Sequence, residues 1–302
     1  MKQLIVGMMA MVCALGTAWA DSEFKEAREE RVDMYVDGTR WLGTVITPFD
    51  AAHREETYKV FTHLYAMDGK LPITKGPGGK YSHHRGLFIG WKDTLFNGKD
   101  IDTWHLQDGY QRHVAWLDQQ SGKGSASQSQ QIEWCEEDGT PFVKEIRTIS
   151  AHAGKKGMRV IDFTSELHAL VDKIELKGDL QHAGMQIRMA NEVAHHQDTT
   201  EYLLPRGSKE NENDEVVGAW WMLCSPEVLD TRYWVLHMTP LDHPTGVPIY
   251  SIRQYARFGA FWESELKKGE PVTYRFRIVV SDQELKAEDC TALYKAYTGT
   301  GK

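Results

Sequence analysis

Alternation with a period of two runs through most of the chain. Over residues 159–170, Ile161, Phe163, Leu167 and Ala169 fall on one side, while Asp162, Thr164, Glu166 and His168 fall on the other. Tyr274, Phe276, Ile278 and Val280 alternate with Arg275 and Arg277 in the same way. A strand with one buried face reads like this because successive side chains point to opposite sides of a sheet. Asp138-Gly139, Gly154-Lys155-Lys156-Gly157 and Gly178-Asp179 supply turn signals between such strands. Helical periodicity is confined to residues 51–64 and to a tail around 287–297. The pattern predicts a mainly β protein, a large antiparallel β-sandwich. Two polar segments, 121–130 and 206–215, read as surface insertions. Strands of similar pattern flank both, so residues 21–302 are expected to form one domain.

The first 20 residues break the alternation. Lys2 precedes an apolar run from Leu4 to Leu15, and Ala18-Trp19-Ala20 stands before Asp21. A positive start, a short apolar centre and an Ala-x-Ala end describe a secretory signal peptide, with cleavage expected after Ala20. The run falls short of the roughly 20 residues that span a bilayer. The mature protein is therefore expected in the periplasm or outside the cell, without membrane insertion. It keeps three cysteines, Cys135, Cys224 and Cys290, in no C-x-x-C pair. At most one intramolecular bridge is possible, and buried free thiols are expected.

Composition narrows the partners. With 35 Lys+Arg against 43 Asp+Glu, the 302-residue chain carries a formal charge of -8. That balance offers no basic stripe and argues against a nucleic-acid partner. The chain holds 13 His, a residue suited to proton transfer near neutral pH or to metal ligation.

Polar chemistry collects in five places. Gly76-Pro77-Gly78-Gly79-Lys80-Tyr81-Ser82-His83-His84-Arg85-Gly86 leads into the apolar Leu87-Phe88-Ile89-Gly90-Trp91, which reads as a buried strand holding His-His-Arg at its edge. In a strand, His83 and Arg85 would share one face and His84 the other. Gly-Lys-Ser/Thr is absent and no helix follows, so this is no phosphate loop. Asp102-Thr103-Trp104-His105, with His113 further on, sets an aromatic face beside a proton carrier. From His182 to Arg188, Met185 and Ile187 alternate with Gln186 and Arg188, which places His182, Gln186 and Arg188 on one face, the floor of a polar cleft. Glu192-Val193-Ala194-His195-His196 has a metal-ligand spacing without the helical context or second copy that such sites need. Asp242-His243-Pro244 reads as a turn carrying a carboxylate and an imidazole. No G-x-S-x-G or Cys nucleophile motif appears, so acyl transfer is not expected.

On Pro72-Ile73-Thr74-Lys75-Gly76, the His83-His84-Arg85-Gly86 block through Trp91, Asp102-Thr103-Trp104-His105, His182-Ala183-Gly184 with Arg188, Asp242-His243-Pro244 and the closing Gly269-Glu270, the sequence resembles a bacterial family labelled PmoA (methane oxygenase). A membrane oxygenase subunit needs several spanning helices, and none is legible here. The resemblance implies instead a galactose-mutarotase-like β-supersandwich, with an Arg, one or two His and a carboxylate around a sugar ring. In that reading His83, His84, Arg85, His105, His182, Arg188 and His243 are the candidate catalytic residues. Trp91, Trp104, Gln186 and Asp242 are the candidate sugar contacts. The carboxylate matches no single position; Glu263 and Glu265 are candidates by location. The expected function is an exported enzyme using His/Arg acid-base chemistry on a sugar or oligosaccharide, with no required cofactor. The alternatives are a metal-dependent enzyme, with a divalent ion on His83, His84, His105 or His243, and a non-catalytic carbohydrate-binding protein.

Overall fold

The computed structural model describes residues 22–27, 30–211 and 214–300. The expected signal peptide, residues 1–20, lies outside the described residues. The long alternating segments pair as the pattern requires. Arg159–Ala169 runs antiparallel to Pro141–Ala153 on one side and to Val272–Ser281 on the other, with Phe163 opposite Ile149 and Phe276. These belong to an eight-stranded sheet completed by Glu201–Leu203, Trp221–Ser225, Trp234–Met238, Ser125–Glu136 and Gly109–Gly122.

A ten-stranded sheet faces it. Its central strands are, in spatial order, Phe61–Leu64, Leu87–Trp91, Ala183–Arg188, Arg257–Phe261, Ile249–Ser251 and Glu215–Val217. One apolar cluster joins the two sheets: Leu87, Ile89, Trp91, Met185, Ile187 and Phe258 from the ten-stranded sheet meet Trp134, Ile149, Phe163, Phe276 and Ile278 from the eight-stranded one. Because side chains alternate, Phe88, Gly90, Gly184, Gln186, Arg188 and Arg257 are left on the opposite face of the ten-stranded sheet. The eight-stranded sheet covers its own outer face with the helix Ala287–Thr298, through Cys290, Leu293 and Tyr294. The mainly β antiparallel sandwich expected from the sequence is the architecture observed.

Three local expectations need correction. The helical periodicity of residues 51–64 yields a short 3-10 turn, Ala51–His53, and one helical turn, Arg54–Thr57, followed by the strand Phe61–Leu64. Residues 121–130 are no insertion. They form the tip and arms of a hairpin whose Gln128 and Gln130 are buried. Small polar side chains there alternate as strictly as apolar ones would, and only their low hydropathy hides the strand. Segment 206–215 is a loop at its start but ends in the sheet, with Glu215 paired to Ser251. The three described cysteines are buried free thiols.

Candidate functional site

The face of the ten-stranded sheet turned away from the core carries a transverse row: Phe88 is opposite Gln186, Gln186 opposite Gly259, Gly259 opposite Ser251, and Ser251 opposite Glu215. One step along the strands, Arg188 is opposite Arg257. Directly paired residues project the same way, so this row is a polar floor on a rigid ladder. The Arg257 guanidinium binds it together, donating to Gln186 Oε1 at 3.1 Å and Ser251 Oγ at 2.9 Å.

Two loops lie on that floor. The loop at 102–106 sits directly against Gly90, where a Cβ would come within 2.4 Å of the Thr103 carbonyl oxygen. Thr103 returns the contact, its amide donating to the Trp91 carbonyl and its hydroxyl accepting from the Trp91 amide. The loop carrying His83 and His84 is a turn, not a strand, so both imidazoles reach the same side. Three buried cations hold it through its carbonyls. Lys59 Nζ donates to His83 O and Trp104 O. Lys75 Nζ donates to His84 O and Gly76 O. Arg85 donates to His84 O and then turns to Glu55 and the Tyr58 hydroxyl.

The loops bring four imidazoles into one chain. Ring centroids are 4.2 Å apart for His84–His83, 4.3 Å for His83–His105 and 5.1 Å for His105–His182. Trp104 backs them, edge-on to His84 and His182 at 6.0 and 5.9 Å. Beyond His182 the face opens into a cleft of about 530 Å³ bordered by Asp179, Glu215, Phe261 and Glu263.

The two outer imidazoles share one local design. Asp102 accepts the amides of Trp104 and His105 on Oδ1, and its Oδ2 lies 2.6 Å from His105 Nδ1. Asp179 accepts the Gln181 amide and lies 2.7 Å from His182 Nδ1. An Asp three residues before a His thus closes a turn and orients the ring in one motif. A carboxylate only accepts, so Nδ1 is the donor in each couple. Burial pushes the His182 pKa down, against the Asp179 hydrogen bond. Burial acts to raise the Asp179 carboxyl, yet the His182 and Gln181 hydrogen bonds hold it below its ordinary value.

The inner groups are pushed toward their neutral forms. Burial, then the neighbouring Lys59, drives His83 to about 2. His84 is pushed well below its usual value by burial and by His83, Arg257 and Arg188. Burial and Arg85 lower Lys75 to about 7, and Lys59 falls well below the normal lysine range for the same two reasons. Around neutral pH His83 and His84 are therefore neutral imidazoles.

The structure thus brings His83, His84, His105, His182, Gln186 and Arg188 together. It corrects the other placements. Arg85 lies beneath the cluster but spends its donors on the loop and on Glu55, which makes it a support. Trp91 cannot stack on a ligand: it points into the sandwich core, donating Nε1 to the Trp262 carbonyl. Trp104 is buried behind the imidazoles and offers no open face. Asp242 sits on the surface, paired with Arg275. His243 is buried among Trp262, Tyr274 and Phe276, on the core side of the sheet. The Pro244 turn packs that segment onto the strand Val272–Ser281, which takes both residues out of reach. Glu265 is committed to Lys173 and Lys267 at an exposed edge.

Other residues enter unannounced. Arg257, Glu215, Tyr81 and Tyr255 belong to the floor or rim. The repeated Asp-x-x-His spacing of Asp102–His105 and Asp179–His182 was visible in the sequence and marks both pairs. No comparable signal marked Arg257 or Glu215. Among the described residues, no group of three or more His, Cys, Asp or Glu is arranged to hold a metal ion.

Fold and site define a β-sandwich protein with an imidazole-rich, cation-floored cleft on the outer face of one sheet. Within that class, the chain belongs to the family of unknown function DUF6807, whose model matches residues 31–295. That description assigns no activity and adds nothing to the oxygenase label. No curated protein matches the chain. Among solved structures, it is similar to the GalM/aldose epimerase homologue from C. elegans, at 7% identity, 86% coverage of this chain, 98% of that one and a TM-score of 0.36. It is also similar to a putative kojibiose phosphorylase from human microbiome, at 12% identity, 86% coverage of this chain, 32% of that one and a TM-score of 0.30. Likeness at this level carries no argument about chemistry. No helix among the described residues is long and apolar enough to cross a membrane.

Proposed function

We propose that the protein is an exported enzyme that uses acid-base chemistry on a sugar or glycan fragment, with His105 and His182 as the proton-transferring groups. The observation that carries the reading is the pair of adjacent Asp–His couples, Asp102–His105 and Asp179–His182, whose imidazole rings lie 5.1 Å apart. Each couple makes Nδ1 the donor to its Asp and leaves Nε2 as the ring atom that would exchange a proton with a ligand. The surroundings suit a polyhydroxylated ligand. Gln186, Ser251 and Arg257 supply donors and acceptors on the floor, and Tyr81, 42% exposed, offers an aromatic face at the rim. The alternation of apolar wall and convergent polar groups is what orients a sugar ring.

The test uses the chain from Asp21 onward, purified from the exported fraction, where intact mass also reads the cleavage site after Ala20. Incubation with a panel of neutral and acidic glycans, followed by NMR and mass spectrometry, detects bond cleavage or epimerisation. His105→Ala and His182→Ala are each expected to lower turnover about 10²- to 10⁴-fold while circular dichroism stays unchanged. Binding without turnover across the panel would instead make this a carbohydrate-binding protein. Unaltered turnover in both variants would refute the assignment.

A further inference from the structure

The outer face of the ten-stranded sheet holds more positive charge than its surroundings balance. Arg188 and Arg257 lie directly opposite each other on adjacent strands, and both are buried. Like charges so placed repel, and a buried guanidinium without a counter-charge bears a large desolvation cost. Other arginines of this chain have their donors satisfied: Arg147 and Arg277 by Glu145 and Asp162, and the buried Arg159 by the carbonyls of Tyr65, Ala66 and Met67. Among the described residues, Arg188 and Arg257 have no such carboxylate. Arg188 donates one N–H to the Tyr255 carbonyl, while its Nε and Nη2 find no acceptor. Arg257 Nε and both ring nitrogens of His84 are likewise without a partner. Lys75, also buried, reaches carbonyl oxygens alone.

Buried donors in native proteins are satisfied almost without exception. Here several unsatisfied ones, mostly cationic, occupy one patch, and together they ask for an acceptor with negative charge. A cation is repelled, and a neutral hydroxyl leaves both guanidinium charges unbalanced. Charge-assisted, two-pronged bonds from guanidinium groups to planar or tetrahedral oxyanions are the strong solution to such a patch.

We infer that Arg188, Arg257 and His84 form the seat of an oxyanion substituent, a carboxylate or sulfate, carried by the ligand of this cleft. That the bearer is a sugar rests on the function proposed above; the oxyanion seat does not. Tyr81 is the cover of the seat. Its ring packs 4.7 Å from that of Tyr255, and the Arg188 guanidinium lies 4.7 Å from the Tyr255 ring centre. The chain before Tyr81 passes through Gly78 and Gly79, both at positive φ, so the backbone there is built from the residues that turn most freely. With the seat filled, the acidic sugar would lie with its ring toward His105 and His182.

Calorimetric titration of the chain from Asp21 onward tests this at low ionic strength. The probes are D-galacturonate, galactose 6-sulfate, D-galactose and inorganic sulfate; the proteins are wild type, Arg188→Gln, Arg257→Gln and Arg188→Lys. An acidic sugar is expected to bind about 10- to 100-fold tighter than galactose. Arg188→Gln or Arg257→Gln should erase that preference, and Arg188→Lys, which keeps the charge if the amide variants fold poorly, should retain part of it. Preference for galacturonate identifies a carboxylate, and preference for the sulfate ester identifies a sulfate. Galactose binding as tightly as both acidic sugars overturns the inference and leaves the sugar reading intact. Inorganic sulfate binding that Arg188→Gln abolishes, with no sugar bound, upholds the seat and removes the sugar. Acidic binding untouched by any variant, or no binding of any probe to wild type, overturns the seat.

Discussion

The interior histidines should make stability fall steeply as the pH drops, in a window set by their burial. His63, His237 and His243 are buried, and burial drives their pKa values to about 3, about 3 and about 4. Unfolded, each titrates near 6.5. Above that value neither state binds the proton and the residues are silent. As pH falls below 6.5 the unfolded chain takes up protons that the folded one refuses, so stability is lost until pH reaches the folded values. At pH 5 each accounts for about 2 kcal/mol, about 6 kcal/mol for the three. That is comparable with the whole stability of an ordinary domain. His83 and His84 act in the same direction. His53, on the surface and raised by Asp50, acts in the opposite one. Carboxylates held low by hydrogen bonds, such as Asp68 and Asp138, matter only at lower pH.

Urea unfolding followed by tryptophan fluorescence between pH 8 and 5 reads the effect. The three histidines should contribute a fall of about 4 kcal/mol between pH 6 and 5, the slope of three protons, added to the loss from His83 and His84 and to the shallower loss that the lowered Lys75 produces already above pH 7. His237→Met isolates one of them. The Tyr250 hydroxyl keeps Thr239 and the Trp220 carbonyl when His237 is gone, so the fold has no orphan to accommodate. The variant's slope should be shallower by about 1.4 kcal/mol per pH unit. A wild-type curve that changes by less than about 1 kcal/mol from pH 7 to 5, or a His237→Met curve parallel to it, refutes the reasoning.

Asp102→Asn turns an acceptor into an amide that can donate toward His105. The imidazole proton should move from Nδ1 to Nε2, visible in the histidine ¹⁵N NMR shifts, and turnover should fall about 10²-fold or more. An unmoved proton would show that Asp102 does not set the tautomer. Gly184→Ala forces a residue at φ 82° and sets its Cβ 2.1 Å from the Ala260 carbonyl oxygen. The expected loss is about 3 kcal/mol by urea midpoint, and a loss under about 1 kcal/mol would mean that the strand moves aside. Trp91→Phe removes the hydrogen bond to Trp262 and core volume, for about 2 kcal/mol of stability. Ligand affinity should be unchanged, and a variant that folds stably but binds weakly would return Trp91 to the site.

What the sequence showed and hid follows from periodicity. Strands such as Arg159–Ala169 were legible because apolar and polar residues alternate without interruption. Gln186 and Arg188 were legible for the same reason: their partners Met185 and Ile187 fix which face is buried. Trp91 was misread because a lone Trp beside Gly90 does not reveal its side; only continuing the alternation from Leu87 and Ile89 puts it in the core. Phe258 and Ala260 alternate with Arg257 and Gly259 in a five-residue strand, too short to stand out. Glu215 was masked by the charged loop before it. Neighbours across the sheet are set by long-range pairing: Glu215 and Phe88 share a row while lying 127 residues apart.

A comparison of two buried arginines separates support from function. Arg147 lies in the sandwich interior, its guanidinium bonded twice to Glu145 at 2.8 Å and once to the Val60 carbonyl. Replacing it with Met leaves the Glu145 carboxylate buried with only Trp134 and Ser165 as donors. Breaking such a pair costs about 3–5 kcal/mol. Arg188 is as deeply buried, yet has a single backbone acceptor and faces Arg257. Burial lowers its pKa to about 10, as it does that of Arg159, but the Arg159 guanidinium has three carbonyl acceptors. Arg188→Met fills similar space without the charge and removes the repulsion. It should be at least as stable as wild type by urea midpoint, while losing the preference for an acidic ligand. A gain in stability joined to a loss in binding is what a residue retained for its ligand shows. If Arg188→Met is instead destabilised as much as Arg147→Met, the cation serves the fold, and the floor of the cleft is a structural network with no seat for an oxyanion.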